Sequence, residues 1–395
     1  MKFLVILTTL FSLIQLHSTE IPLTTANSSS TRFLTYMVNP PEGFNLRRDV
    51  YVRISTLIHR LIENGQNWVL VLPPWPHLYH WKSGRQNGLS WLQFFDIQSM
   101  SKFIPVIDWI EYQKMNGPAK IDRVWKLETP DFTVEGYKFE TEFTPMSCEN
   151  ENTDYTLFGS YHDPIAELGV YTIECYKVMG STDVLETPLS LIPEGEFLLI
   201  EHFEMIMHYQ FAGKLYWAAR ASMVYAEHLR SIGDEFMLEQ FDFSSENSLT
   251  GDYLSVHLRR GDYVYARPDE IPSLDGAIQQ IEDKLNSLNL SKVFLASDSS
   301  QKEYDYIQSK LGSRVVRYTP KRDVISVLGD GGISIIDQWI ALHAMYFIGT
   351  AESTFTFRIC EERQLKGIPV DSTYNCLCPD TKPDCIQLIK WNVVT

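Results

Sequence analysis

Long apolar runs are scarce in this chain of 395 residues. The one clear run covers residues 3–16, between Lys2 and the small polar exit His17-Ser18-Thr19-Glu20. It is too short for a bilayer span, and its positive start and small-residue end are those of a secretory signal peptide. Residues 1–19 are therefore expected to be a leader, with no membrane span elsewhere. Positive charge is also in short supply: 34 Lys+Arg face 50 Asp+Glu, leaving a net charge of −16. Nucleic-acid binding needs clustered Lys and Arg to neutralise phosphate, and anionic lipid makes the same demand, so neither partner is expected. A basic protein partner suits the charge better.

Several motifs are missing as well. Neither G-x-G-x-x-G nor G-x-x-x-x-G-K-[ST] occurs, so no dinucleotide fingerprint or P-loop is present. The absence of G-x-S-x-G and H-E-x-x-H removes the hydrolase elbow and the zincin helix. No Asp-x-Asp stands ready to hold a divalent metal on a diphosphate. Cysteine is limited to six residues, which in an oxidising lumen argue for disulfides. Cys376-Leu377-Cys378 lacks a second ligand pair and no His follows His343, which disfavours a zinc site.

What is there begins with a pattern. At 44% hydrophobic residues the chain can bury a large core, and its length suits two to three domains. Residues 32–38 read as a buried strand, and Val50, Ile54, Leu57, Ile58 and Leu61 fall on one helical face ending near Gly65. A second strand over 68–72 completes a βαβ unit, hence the start of a parallel sheet. Residues 78–240 read less clearly, with short strands, surface loops and a helix over 216–232. After a polar linker at 244–248, strands at 253–258, 292–297, 314–318 and 346–349 alternate with helices at 273–289, 299–311, 333–344 and 354–365. The fold expected is α/β, with two Rossmann-like domains facing across a cleft. Their boundaries are 20–243 and 244–395.

In open parallel sheets ligands bind beyond the carboxyl ends of the strands, which draws attention to four places. Glu42, between Pro41 and Gly43 after the first strand, can take a proton or simply be a solvated loop residue. Arg259 and Arg260 follow Val256-His257-Leu258 and can grip phosphate in bidentate fashion. Equally, they can be salt-bridged, with Asp262 neutralising one of them. Asp337, beyond Gly329-Asp330-Gly331-Gly332, can accept from a nucleobase or ribose, or favour a helix N-terminus. In Gly349-Thr350-Ala351-Glu352-Ser353-Thr354-Phe355 a strand turns into a helix start, where backbone N–H groups and two hydroxyls make an anion site, although capping alone would use one of them. Asn27-Ser28-Ser29 and Asn289-Leu290-Ser291 are glycosylation sequons.

These residues carry a resemblance. Asn39-Pro40-Pro41-Glu42-Gly43-Phe44-Asn45-Leu46-Arg47-Arg48-Asp49, His257-Leu258-Arg259-Arg260 and Ser353-Thr354-Phe355-Thr356-Phe357-Arg358 resemble the GDP-fucose protein O-fucosyltransferases that act on thrombospondin type 1 repeats. Trp68-Val69-Leu70-Val71-Leu72-Pro73-Pro74, Leu78-Tyr79-His80-Trp81 and Ile335-Ile336-Asp337-Gln338-Trp339-Ile340 support it. The likeness covers residues 32–391 and is weakest over 113–211. It implies a GT-B-type fold and an inverting, metal-independent transfer of L-fucose from GDP-fucose, with no cofactor. The acceptor would be a Ser or Thr hydroxyl of a folded thrombospondin type 1 repeat, in the lumen of the endoplasmic reticulum, and the enzyme a monomer. Carried over by motif, Glu42 is the general base. Pro41, Glu42, Gly43, Phe44 and Asn45 line the donor site, joined by His257, Leu258 and Arg259, with Arg259 on the diphosphate. Asp337 falls on a guanosine position, and Ser353, Thr354 and Phe355 on the phosphate-facing turn. Cys378 with Cys385, and Cys148 with Cys175, match family disulfides. The chain departs from the family pattern at Gly261, where a Lys is expected, and in having Cys360 and Cys376. The donor motifs leave room for another acceptor, such as an epidermal-growth-factor repeat, or for a binding protein without turnover.

Overall fold

The chain opens with β1 (Arg32–Tyr36), α1 (Phe44–Glu63) and β2 (Trp68–Leu72), the expected βαβ unit. These belong to a computed structural model that describes residues 30–83, 88–117, 120–129, 141–148, 172–383, 385 and 393. The expected leader and the Asn27 sequon lie outside the described residues. β1 and β2 pair in parallel with Leu34 opposite Leu70. Every residue of β2 is buried, as befits a strand covered on both faces.

The chain continues through β3 (Val106–Asp108), α2 (Trp109–Asn116), β4 (Arg123–Glu128), β5 (Glu142–Met146), β6 (Thr172–Met179) and β7 (Phe197–Glu201). Together they form a seven-stranded sheet in the order β3-β2-β1-β7-β4-β6-β5, parallel except for the β5–β6 pair. Two helices follow, α3 (Lys214–Ser222) and α4 (Glu227–Phe241), where one continuous helix over 216–232 is expected. The break has a local cause. The Val224 carbonyl accepts from the Asp96 N–H and the Ala226 N–H donates to the Phe94 carbonyl, both at 2.9 Å. Backbone groups needed for helix continuity are spent on the 94–96 segment instead.

The second sheet is built from β8 (Gly251–Leu258), α5 (Leu274–Leu288), β9 (Val293–Ser297), α6 (Gln301–Leu311), β10 (Val315–Val316), α7 (Arg322–Leu342), β11 (Ala344–Thr350), α8 (Thr354–Leu365) and β12 (Cys376–Leu377). Its order is β10-β9-β8-β11-β12, all parallel. Ser273 caps α5 through the Gly276 N–H at 3.0 Å, and Ser300 with Glu303 forms a capping box on α6. α7 begins eleven residues before the expected Ile333 and is bent at Gly329, whose φ of 65° only glycine adopts without strain. Although α7 is long and apolar enough by composition to cross a bilayer, it is a core helix here, with Ile335, Ile336, Gln338 and Ile340 buried. α4 precedes the polar patch at 244–248, yet packs on this second sheet through Phe236 against Phe294 and Phe241 stacked on Tyr253.

One apolar core runs through both halves, and a buried polar seam crosses it. Arg48 on α1 donates to the Gln338 side chain at 2.7 Å and to the Tyr225 hydroxyl at 3.2 Å. Glu361 on α8 accepts from Arg220 at 2.7 Å, Arg358 at 2.9 Å and the Tyr216 hydroxyl. Arg358 also faces Asp49 of α1 at 3.6 Å. The Arg220 and Glu361 side chains are fully buried. The disulfides Cys148–Cys175 and Cys378–Cys385 are formed, with the Cys376 sulfur 3.0 Å from that of Cys385. Cys360 is a buried free thiol. Asn289 closes α5 and is exposed.

Removing one partner of a buried ion pair strands the others. Glu361→Ala is expected to destabilise the protein by about 3–5 kcal/mol in urea unfolding, and an unchanged midpoint would deny the seam its structural role.

Candidate active site

Glu42 sits where β1 ends. Its loop is held mostly from α1: Arg47 donates through Nε to the Glu42 carbonyl at 3.0 Å and through Nη2 to the carbonyls of Val38, Asn39 and Pro40 at 3.0–3.4 Å. The guanidinium thus closes the turn left open by Pro40 and Pro41. Phe44, the first residue of α1, is buried among Trp75, Trp81 and Phe94 and anchors the loop from below. Asn45 takes hydrogen bonds from Arg48 at 3.1 Å and from the Gln338 amide at 3.0 Å, which ties this segment to α7. Gly43 lies under the His80 ring: a Cβ there would stand 3.2 Å from it. Burial, and then the nearby Glu204, push the Glu42 carboxyl above the ordinary range, while Arg47 and Arg53 pull it down. A carboxyl tuned upward is a stronger proton acceptor once ionised.

Across from it, β8 delivers His257, Leu258 and the two arginines, which the structure separates. Arg260 is committed to the fold, pairing with Glu303 at 2.9 Å and donating to the Pro272 carbonyl at 3.2 Å. Arg259 is held between Asp262 at 2.5 Å and Asp298 at 2.7 Å, with its side chain 22% exposed. Its fork is therefore oriented before any ligand arrives. A Cβ at Gly261 would collide with the Asp298 carboxylate, so the departure at Gly261 and the position of Asp298 belong together. His257 is buried, with Nδ1 2.8 Å from the Thr356 hydroxyl and its ring stacked on Phe355 at 4.4 Å. Burial, then Arg259, drive its pKa down to about 3, so the ring is neutral at physiological pH.

The turn after β11 completes this side. The Thr350 hydroxyl donates to the His257 carbonyl at 2.9 Å and accepts from the Arg259 N–H at 2.8 Å. Gly349 lets β11 approach α8, since a Cβ there would collide with Thr356. Glu352 takes a left-handed φ of 57° just before Ser353, a strained conformation of the kind found at functional turns. Ser353 is the N-cap of α8, but its hydroxyl caps nothing. The first N–H groups of this 12-residue helix are thus left without a side-chain cap at the turn, as at helix ends that bind anions.

Asp337 lies within α7 rather than at a helix start. Burial pushes its carboxyl up to about 7 despite Arg317, and its Oδ1 has no protein partner. Tyr318 stands close enough for Asp337 to help raise its hydroxyl to about 12, after burial.

Three participants are not among the expected site residues: Tyr79 and His80 after β2, whose stretch Leu78-Tyr79-His80-Trp81 enters only as support for the family resemblance, and Asp298 after β9. All obey the same strand-end rule that marks Glu42 and Arg259. Tyr79, 60% exposed, lies within electrostatic reach of Asp262, Arg259 and Glu42 together. His80 packs against its ring, within reach of Arg259. The edges of the two sheets therefore meet around this pair.

The buried Asp337 carboxyl gives a sign that can be checked. A carboxyl with a raised folded pKa binds more protons folded than unfolded, so stability falls as pH rises from about 4 to about 7. Asp337→Asn is expected to raise the thermal midpoint at pH 8 by a few degrees, with the gain vanishing near pH 4. An equal gain at both pH values would exclude a titrating carboxyl.

Residues 33–366 match the family model for GDP-fucose protein O-fucosyltransferase. GDP-fucose protein O-fucosyltransferase 2 of Homo sapiens is 36% identical over 93% of this chain and 90% of its own. The Caenorhabditis elegans protein of the same name is 36% identical over 93% of this chain and 91% of its own. Among solved structures, POFUT1 in complex with GDP superposes with a TM-score of 0.58, at 15% identity, over 89% of this chain and 99% of that one, a shared fold of two Rossmann-like domains. On these grounds the chain belongs to the GDP-fucose protein O-fucosyltransferase family.

Proposed function

We propose that this family member is an inverting transferase that moves L-fucose from GDP-fucose to a Ser or Thr hydroxyl of a folded thrombospondin type 1 repeat. The observation that carries the reading is the position of Tyr79, which lies within electrostatic reach of a carboxylate on one sheet edge and of an arginine on the other. A hydroxyl is a weak nucleophile, so Glu42 removes its proton as oxygen attacks the sugar carbon. The bond from that carbon to the diphosphate oxygen breaks, and positive charge grows on the ring as in glycoside hydrolysis. Negative charge on departing GDP falls on Arg259 and on the Ser353, Thr354 end of α8. Those groups are the reason for reading the transfer as metal-independent and free of a cofactor.

On the nucleotide side, the unpartnered Asp337 oxygen suits the N–H groups of a guanine edge. His257 and Phe355, stacked on each other, are assigned to the donor side with the backbone of Leu258, whose side chain is in the core, and Pro41, Gly43, Phe44 and Asn45 to the segment near the sugar. The N-terminal half supplies base and acceptor side, the C-terminal half the nucleotide. The enzyme works as a monomer in the lumen of the endoplasmic reticulum, consistent with its disulfides.

Intact mass tests the reading. With GDP-fucose and chelator present, a folded thrombospondin repeat is expected to gain one deoxyhexose and a growth-factor repeat none. Gain on the growth-factor repeat alone would overturn the acceptor, and gain on neither would overturn the transferase reading. Glu42→Gln is expected to lose transfer while still binding GDP. Arg259→Ala is expected to lower kcat by about a hundred- to thousand-fold, the size of effect that follows loss of one transition-state donor.

A further inference from the structure

Glu204 stands in the short turn after β7, on the same sheet edge as the loop that carries Glu42. Its side chain is 11% exposed and fully occupied. Oε2 accepts from the Asn39 N–H at 3.2 Å, and Oε1 lies 3.2 Å from Nδ1 of His202. The turn itself is pinned: the Glu204 carbonyl accepts from Arg53 at 2.9 Å and the Phe203 N–H donates to the Met37 carbonyl at 3.1 Å. His202 takes a left-handed φ of 57° to enter it, a cost that a non-glycine residue bears only where the surroundings impose it.

Nothing in the transfer chemistry so far uses this pair, yet a negative charge held near a base at low exposure is costly. We propose that Glu204 is a positioning residue for Glu42, and that with His202 it forms an adjustable charge behind the base: its carboxylate fixes the Asn39 amide of the loop and turns a like charge toward the base. This rests on the reading of Glu42 as the base. Groups facing Glu42 are Glu204 from the turn after β7, Arg47 and Arg53 from α1, and Tyr79 from the turn after β2, with His80 against Gly43. Glu204 is the like charge in that set, and it raises the Glu42 carboxyl after burial does. His202 in turn is held protonated to higher pH chiefly by Glu204, against burial, with Glu201 at the end of β7 and Glu128 at the end of β4 adding to it, and when charged it offsets its partner.

Two substitutions move the base in opposite directions. Glu204→Gln keeps an acceptor for the Asn39 N–H but removes the charge, so Glu42 ionises at lower pH. Its acid limb of kcat/KM against pH is expected to move down by about half a unit or more, with a lower plateau because a less basic carboxylate is a weaker acceptor. His202→Gln leaves Glu204 charged and without its counter-charge, and the acid limb is expected to move up. A purely structural role would change the unfolding midpoint or kcat and leave both limbs in place, as would a bystander. Limbs that stay put, or move the same way, overturn the proposal. Glu42→Gln run alongside separates the two levels. If it retains transfer, the base assignment itself falls, and if it is inactive while the limbs stay put, only the role of Glu204 falls. Should Glu204→Gln fail to fold, His202→Gln alone still decides, since an unmoved or lowered limb refutes the coupling.

Discussion

The buried seam around Glu361 is the interaction on which the rest depends. Two parallel sheets with their own helices have no intrinsic reason to hold a fixed spacing, and interfaces between such domains are usually polar and mobile. Here Glu361 meets Arg220, Arg358 and Tyr216, and Arg358 reaches Asp49 of α1. Arg48 reaches across to Gln338. Desolvating so many charges is expensive, and it is offset through the pairs they form, although Nε of Arg48 and Nε and Nη1 of Arg358 are buried without a partner. Having been offset, it leaves little freedom: the two halves can hardly slide without exposing several stranded charges to an apolar core. The sheet edges bearing Glu42 and Arg259 are thereby held facing each other.

That rigidity suits the chemistry assigned to the site. Arg259 has its orientation set by Asp262 and Asp298, its backbone by Thr350, and Thr350 is itself bonded to the His257 carbonyl. Neutral His257 adds a stacked ring and no charge. Such preorganisation means that little reorganisation is left for the moment when charge develops on a leaving group.

Much of this was legible in the sequence, and the reasons for the exceptions are physical. The regular alternation after 250 gave most strands and helices nearly in place, because fully buried parallel strands are short apolar runs between glycines and caps. The exceptions are α7, which starts eleven residues earlier than expected, and β12, which was not expected. The middle of the N-terminal sheet was not legible: β4 inserts between β6 and β7, and only partners distant in sequence make a six-residue run such as Arg123–Glu128 a strand. The helix break at 223–226 was hidden for the same reason. At the site, Glu42, Arg259 and the Ser353 turn stood out through their neighbours in the chain. Tyr79 and His80 fall in a stretch that supports the family resemblance without a chemical pattern of its own, and Asp298 occupies an equivalent strand end in plain surroundings. For Asp337 the helix was anticipated, but not that burial would leave one oxygen without a partner.

Arg47 carries a consequence of another kind. The loop holding Glu42 owes its shape chiefly to one side chain that binds four of its carbonyls from outside it. Main-chain oxygens are the same whatever residue bears them, so such a grip is blind to the identity of loop residues and tolerant of drift among them. The fragility is moved elsewhere. It rests on a single helical position whose replacement, even by lysine, would give up the planar fork that reaches several oxygens at once. Mutational sensitivity near the base is thus concentrated one turn into α1, away from the residues that would touch the sugar.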